Sequence, residues 1–230
     1  MSKVWVRTAF AAVLGSASML ATSAPVVDLT GWTFGSGNSV NVTSPTYSGQ
    51  VGGFKGSLSG FGAPFDSASF QTYCVELTQE FSFGALMTGY SIVTPTQYNT
   101  TYGEWATPVT TGNRIGQLIT YVDEHPSAVT NAAQSTSLQL AIWNSIYDTD
   151  NTLSGGTFRD TTTYATYANT LLVDSLSTVS DLNVYVLANA SSQDFLVTTP
   201  VPEPETFGLT AVGLAGIGFL ARRRRTLNGA

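Results

Sequence analysis

Cysteine and histidine each occur once in this chain, as Cys74 and His125, and basic residues are nearly absent between its two ends. A lone thiol cannot close an internal disulfide. One Cys and one His cannot complete a tetrahedral zinc set, so no metal site is read. Neither a Gly-x-Ser-x-Gly elbow nor a Walker loop is present, and no cofactor motif is found. A hydrolase triad would have to use His125, beside Pro126, where the spacing suits a helix end better. An enzyme is therefore not expected. Of nine basic residues, six are terminal: Lys3, Arg7 and Arg222 to Arg225. With Glu203 and Glu205 counted to the tail, Lys55, Arg114 and Arg159 of the body face thirteen acids, a net charge of 3 − 13 = −10. So acidic a body has no electrostatic footprint for nucleic acid and is repelled by anionic membrane surfaces.

What is present at the ends has the form of addresses. Lys3 and Arg7 precede the apolar Ala9–Leu14, and small residues follow to Ala24. Charge, short apolar segment and small residues in that order form a secretory signal, cleaved after Ser23 or Ala24. Residues 1–23 are assigned to it. At the other end Pro202-Glu203-Pro204 precedes the uncharged stretch 207–221, which reaches about 22 Å as a helix. Arg222, Arg223, Arg224 and Arg225 follow and would stay cytoplasmic, leaving everything before Pro202 outside.

Pro202-Glu203-Pro204, a short apolar helix and a terminal Arg cluster resemble the PEP-CTERM sorting signal of Gram-negative bacteria. The resemblance implies an exosortase and the inner membrane as partners, with transient anchoring before delivery to the cell surface or extracellular matrix. It gives a route and says little about activity.

The remaining body, 24–197, is one domain's length, joined to the tail by a linker at 198–206. Ser39–Thr43, Ser69–Leu77 and Gly89–Thr94 read as strands. Apolar residues then recur at helical spacing over Asn113–Glu124, Asn131–Tyr147 and Thr161–Leu176. Leu182–Leu187 and Asp194–Val197 return to strand. The order predicts an α+β domain, a β-sandwich or barrel-like sheet with an inserted helical segment, its last strands completing the first sheet. No fixed-period repeat argues for a solenoid.

Two strings carry candidate chemistry: Tyr73-Cys74-Val75-Glu76-Leu77 on a predicted strand, and Leu138-Gln139-Leu140-Ala141-Ile142-Trp143 on the middle helix. Gln139 shares a face with Ile142, Trp143 and Ile146, so its amide must find partners. These strings resemble the thioester, or TQxA, domains of bacterial surface proteins. Those domains pair an aromatic-Cys-aliphatic string with a later Gln-x-Ala-Ile-Trp-like helix. The resemblance implies Cys74 as thiol and Gln139 as acyl donor of an internal thioester that captures an amine on a target. Leu138 stands where that family has Thr. Gln134, Gln117 and Gln79 lack the Ala-Ile-Trp context.

Asp148-Thr-Asp150-Asn151-Thr152 alternates oxygens as a calcium loop does. Leu153 and Arg159 replace the Gly and the acid such a loop wants, so an Asx turn is the better reading. Two readings follow for the body: an adhesin-like protein with a Cys74–Gln139 thioester that captures surface amines, or a structural protein of an exopolysaccharide matrix without that bond. Ice binding would want a flat repeating threonine array, and Thr161-Thr162-Thr163 forms none.

Overall fold

Alternation of buried and outward side chains writes the first strands. Val27 and Leu29 are buried on either side of Asp28, and Val40 and Val42 on either side of Asn41. Such a period-2 pattern fits a half-buried antiparallel sheet. The computed structural model describes residues 24–201 apart from 104 and 106. The signal segment 1–23, Pro202, Glu203, Pro204, the stretch 207–221 and Arg222 to Arg225 lie outside the described residues.

In chain order the elements are β1 (Val26–Trp32), β2 (Asn38–Ser44), β3 (Thr46–Val51), β4 (Phe54–Ser59), β5 (Ser67–Thr72), β6 (Leu86–Thr88), β7 (Ser91–Val93), α1 (Pro95–Tyr102), α2 (Pro108–Glu124), α3 (Ala132–Tyr147), β8 (Arg159–Asp160), α4 (Tyr164–Asp174), β9 (Leu182–Ala188) and β10 (Phe195–Pro200). They form an α+β fold with three antiparallel sheets in the orders β5-β4-β1-β6, β10-β9-β7 and β3-β2-β8. The arrangement is sandwich-like. The barrel alternative is not met, because no sheet closes on itself among the described residues.

The closing strands differ from expectation. They do not complete the first sheet; β9 pairs with β10 on one side and β7 on the other. Their backbone link toward the first sheet is an isolated bridge between Cys74, just past β5, and Phe195, flanked by Leu196 N–H to Tyr73 O and Val75 N–H to Asp194 O and joined by Thr72 Oγ1 donating to Leu196 O. The strand expected over Ser69–Leu77 accordingly ends as β5 at Thr72. β10 continues through Pro200, so the backbone is still paired at 198–200, where a linker was expected.

α3 is the centre of the domain. Its residues from Ser135 to Ile146 are all buried. A helix buried on every side belongs in the middle of a core. Two of its small polar side chains reach partners outside the helix, Thr136 donating to Val51 O and Ser137 to Tyr164 O, while Ser145 donates to Ala141 O within it. Asn131 caps its start by accepting from Gln134 N–H. Gly53 lets β4 approach closely, donating its N–H to Ser135 Oγ at 2.8 Å. A Cβ there would lie 2.9 Å from the Tyr73 ring and 3.2 Å from Ser135 Oγ. That anchorage fixes α3 against the chain that carries Cys74.

Candidate functional site

Cys74 lies just past the end of β5, where the chain leaves β4 and turns to β10. In its bridge to Phe195 the neighbouring groups, Tyr73 C=O and Val75 N–H, point at β10. The N–H and C=O of Cys74 itself therefore point the other way, toward α3, with no strand to receive them. Backbone groups buried without partners are costly. Gln139 supplies both partners. Cys74 N–H donates to Gln139 Oε1 at 2.8 Å, and Gln139 Nε2 donates to Cys74 O at 2.8 Å. The side-chain amide thus stands in for a neighbouring strand's peptide group.

The two residues are 65 apart in sequence and both buried, Gln139 at 0 % and Cys74 at 7 % exposure. Trp143, one turn further along α3, packs edge-on against Tyr47 with centroids 5.3 Å apart. Burial pushes the Cys74 thiol well above its ordinary range, and the nearby carboxylates of Glu76 and Asp194 push it the same way. The thiol is held neutral.

The acids around it were not singled out from the sequence. Glu76 is buried, and its carboxylate accepts from Thr78 N–H and Oγ1, Gln79 N–H and Gln193 Nε2. Asp194 is 1 % exposed and accepts from Tyr98 Oη and Asn189 N–H. Burial raises its carboxyl to about 6; the two hydrogen bonds lower it, and Glu76 raises it. The only sequence signal was polar Gln193-Asp194 directly before an apolar strand.

The other glutamines do not meet Cys74. Gln134 turns its Oε1 back to Thr130 and Asn131 at the start of α3, and Gln79 lies in the turn held by Glu76. Gln117 sits on α2. Asp148 and Asp150 spend their oxygens on their own loop. Asp148 accepts from the N–H groups of Thr149, Thr157 and Phe158, and Asp150 from Thr152 N–H and Asn144 Nδ2. That is an Asx-type network. His125 terminates α2, its ring stacked on Tyr121 with centroids 4.3 Å apart.

Compared with known proteins, the chain matches no curated protein and no solved structure. Residues 200–225 do match the PEP-CTERM protein-sorting motif, so the tail marks an exported protein that an exosortase handles after transient anchoring in the membrane.

Proposed function

We propose that the protein is a surface-delivered capture protein rather than an enzyme, in which Cys74 and Gln139 join as an internal thioester that acylates an amine on a partner. One observation supports this reading above others: two residues 65 apart are held in direct, buried contact. In the step, Cys74 Sγ attacks the Gln139 Cδ, the C–N bond breaks, and the thiol proton leaves with the amide nitrogen as ammonia. An incoming primary amine then attacks the same carbon. The C–S bond breaks, a new amide forms on the residue-139 side chain, and a proton from the amine restores the thiol. Cys74 N–H already donates to Oε1, the oxygen on which negative charge develops in both steps. Burial keeps water from the bond until a nucleophile arrives. The neutral thiol makes formation a slow maturation step, since the thiolate is the better nucleophile.

A second reading has its own support. Gln139 is fully engaged by the Cys74 backbone, which a structural glutamine would also achieve without a covalent bond. On that reading the body is a structural protein of the exopolysaccharide matrix. Methylamine separates the two. A thioester protein gains the mass of one methylamine and exposes one new thiol. Cys74→Ala and Gln139→Ala abolish the gain, and Gln134→Ala keeps it. No mass gain in the wild-type protein leaves the matrix reading.

A further inference from the structure

A cleft of about 750 Å³ lies between α2, the end of β5 and β10. That is within the usual range of ligand sites, roughly 300–1,000 Å³. Ile119, Val122, Val129, Leu138 and Leu196 give it an apolar wall. Among the described residues that line it, Asp123 is the only charged one and none is basic. Tyr73 and Leu138 also line it, the chain neighbours of Cys74 and Gln139.

The charge at this rim is not what helix stability favours. Asp123 and Glu124 close α2, whose last turn contains no basic residue. The negative end of a helix dipole favours cations there, and acids are disfavoured. Asp181, bonded to Thr120 Oγ1 of the same helix, adds a further negative charge nearby. Partial burial and Asp181 hold the Asp123 carboxyl above its usual range. Among the described residues no cationic side chain is paired with Asp123. An apolar wall ending in uncompensated negative charge is complementary to a hydrocarbon stem ending in an ammonium group.

We propose that this cleft seats a lysine side chain of a partner protein, with its methylenes along Val122, Ile119 and Leu196 and its ammonium at Asp123. Docking stands independently of any covalent bond; only later transfer to that amine rests on the thioester reading given above.

The test uses the mature exported protein carrying Cys74→Ala, which removes thioester chemistry and leaves the cleft intact. Binding is titrated by NMR with N-acetyl-lysine methylamide and with its uncharged counterpart, N-acetyl-norleucine methylamide. The lysine probe binds more tightly than the norleucine probe. Asp123→Asn, on the exposed end of α2, weakens the lysine probe by about fivefold and leaves the norleucine probe unchanged. Raising salt to about 0.5 M weakens the lysine probe alike, because the contact is at a rim. Equal affinity for the two probes, no lysine binding, or an Asp123→Asn variant that is folded by thermal melt and binds as before overturns the proposal. Because Cys74 is absent throughout, those results leave the thioester reading untouched, and a failed methylamine reaction leaves this one untouched.

Discussion

Replacing Gln139 by Leu in a Cys74→Ala background isolates what the amide does for the fold from anything it does covalently. Leucine fits the apolar face of α3 but offers neither donor nor acceptor. The N–H and C=O of residue 74 are then left in a site where residue 139 is fully buried. Each unsatisfied buried group costs about 1–3 kcal/mol, so the pair costs roughly 2–6 kcal/mol. For a domain of this length each kcal/mol lowers Tm by about 2–4 °C, so a loss of around 4 kcal/mol lowers it by roughly 8–16 °C. Urea unfolding gives the free energy directly, with an unchanged m value showing that the native state is otherwise intact. Gln139→Glu refines the test. A protonated carboxyl can accept from the Cys74 N–H and donate to its C=O, whereas a carboxylate cannot donate. The folded-state pKa of that Glu is then raised, so its contribution is present below about pH 4 and is lost as pH rises through the raised value. A Gln139→Leu variant that melts within a degree of its parent refutes the bracing role.

Three further outcomes follow from the same structure. Leu172→Asp puts an unpaired charge on a fully buried face of α4, and urea unfolding should show a loss of several kcal/mol, roughly 3–5. Asp194 has a folded pKa of about 6, above its unfolded value, so its contribution is greatest below about pH 4 and is lost as pH rises through 6. Asp194→Asn, which keeps an acceptor for Asn189 N–H and a partner for Tyr98 Oη, should flatten that part of the stability–pH curve. Replacing Pro202-Glu203-Pro204 leaves export across the inner membrane intact but blocks sorting beyond it, read by fractionating cells and medium; normal surface delivery contradicts the exosortase route.

Local periodicity carried much of the secondary structure. α2 and α3 lie where Ile115, Leu118 and Val122, and Leu138, Ile142 and Ile146, recur at helical spacing. What periodicity missed was long-range. Ser135, Thr136, Ser137 and Asn144 look like a solvent face, but all are buried because Gly53 before β4, β3, α4 and the loop after α3 supply their partners in turn. Nothing local announces that β9 and β10 join β7 instead of the first sheet, since strand pairing is set by packing of the whole domain. α4 starts at Tyr164, later than expected, because Thr162 is held by the buried Asp160 just before it. The meeting of Cys74 with Gln139 came from resemblance of two short strings. Its geometric reason, an orphaned peptide edge facing α3, exists only once β10 has taken the other edge.

Intact-mass spectrometry of the mature, unreduced protein tests the central claim most directly. Formation of the Cys74–Gln139 bond predicts a mass one ammonia below that of the mature sequence, with Cys74 refusing alkylation after denaturation until the thioester is opened. A full-sequence mass with Cys74 alkylated as soon as the chain unfolds contradicts it.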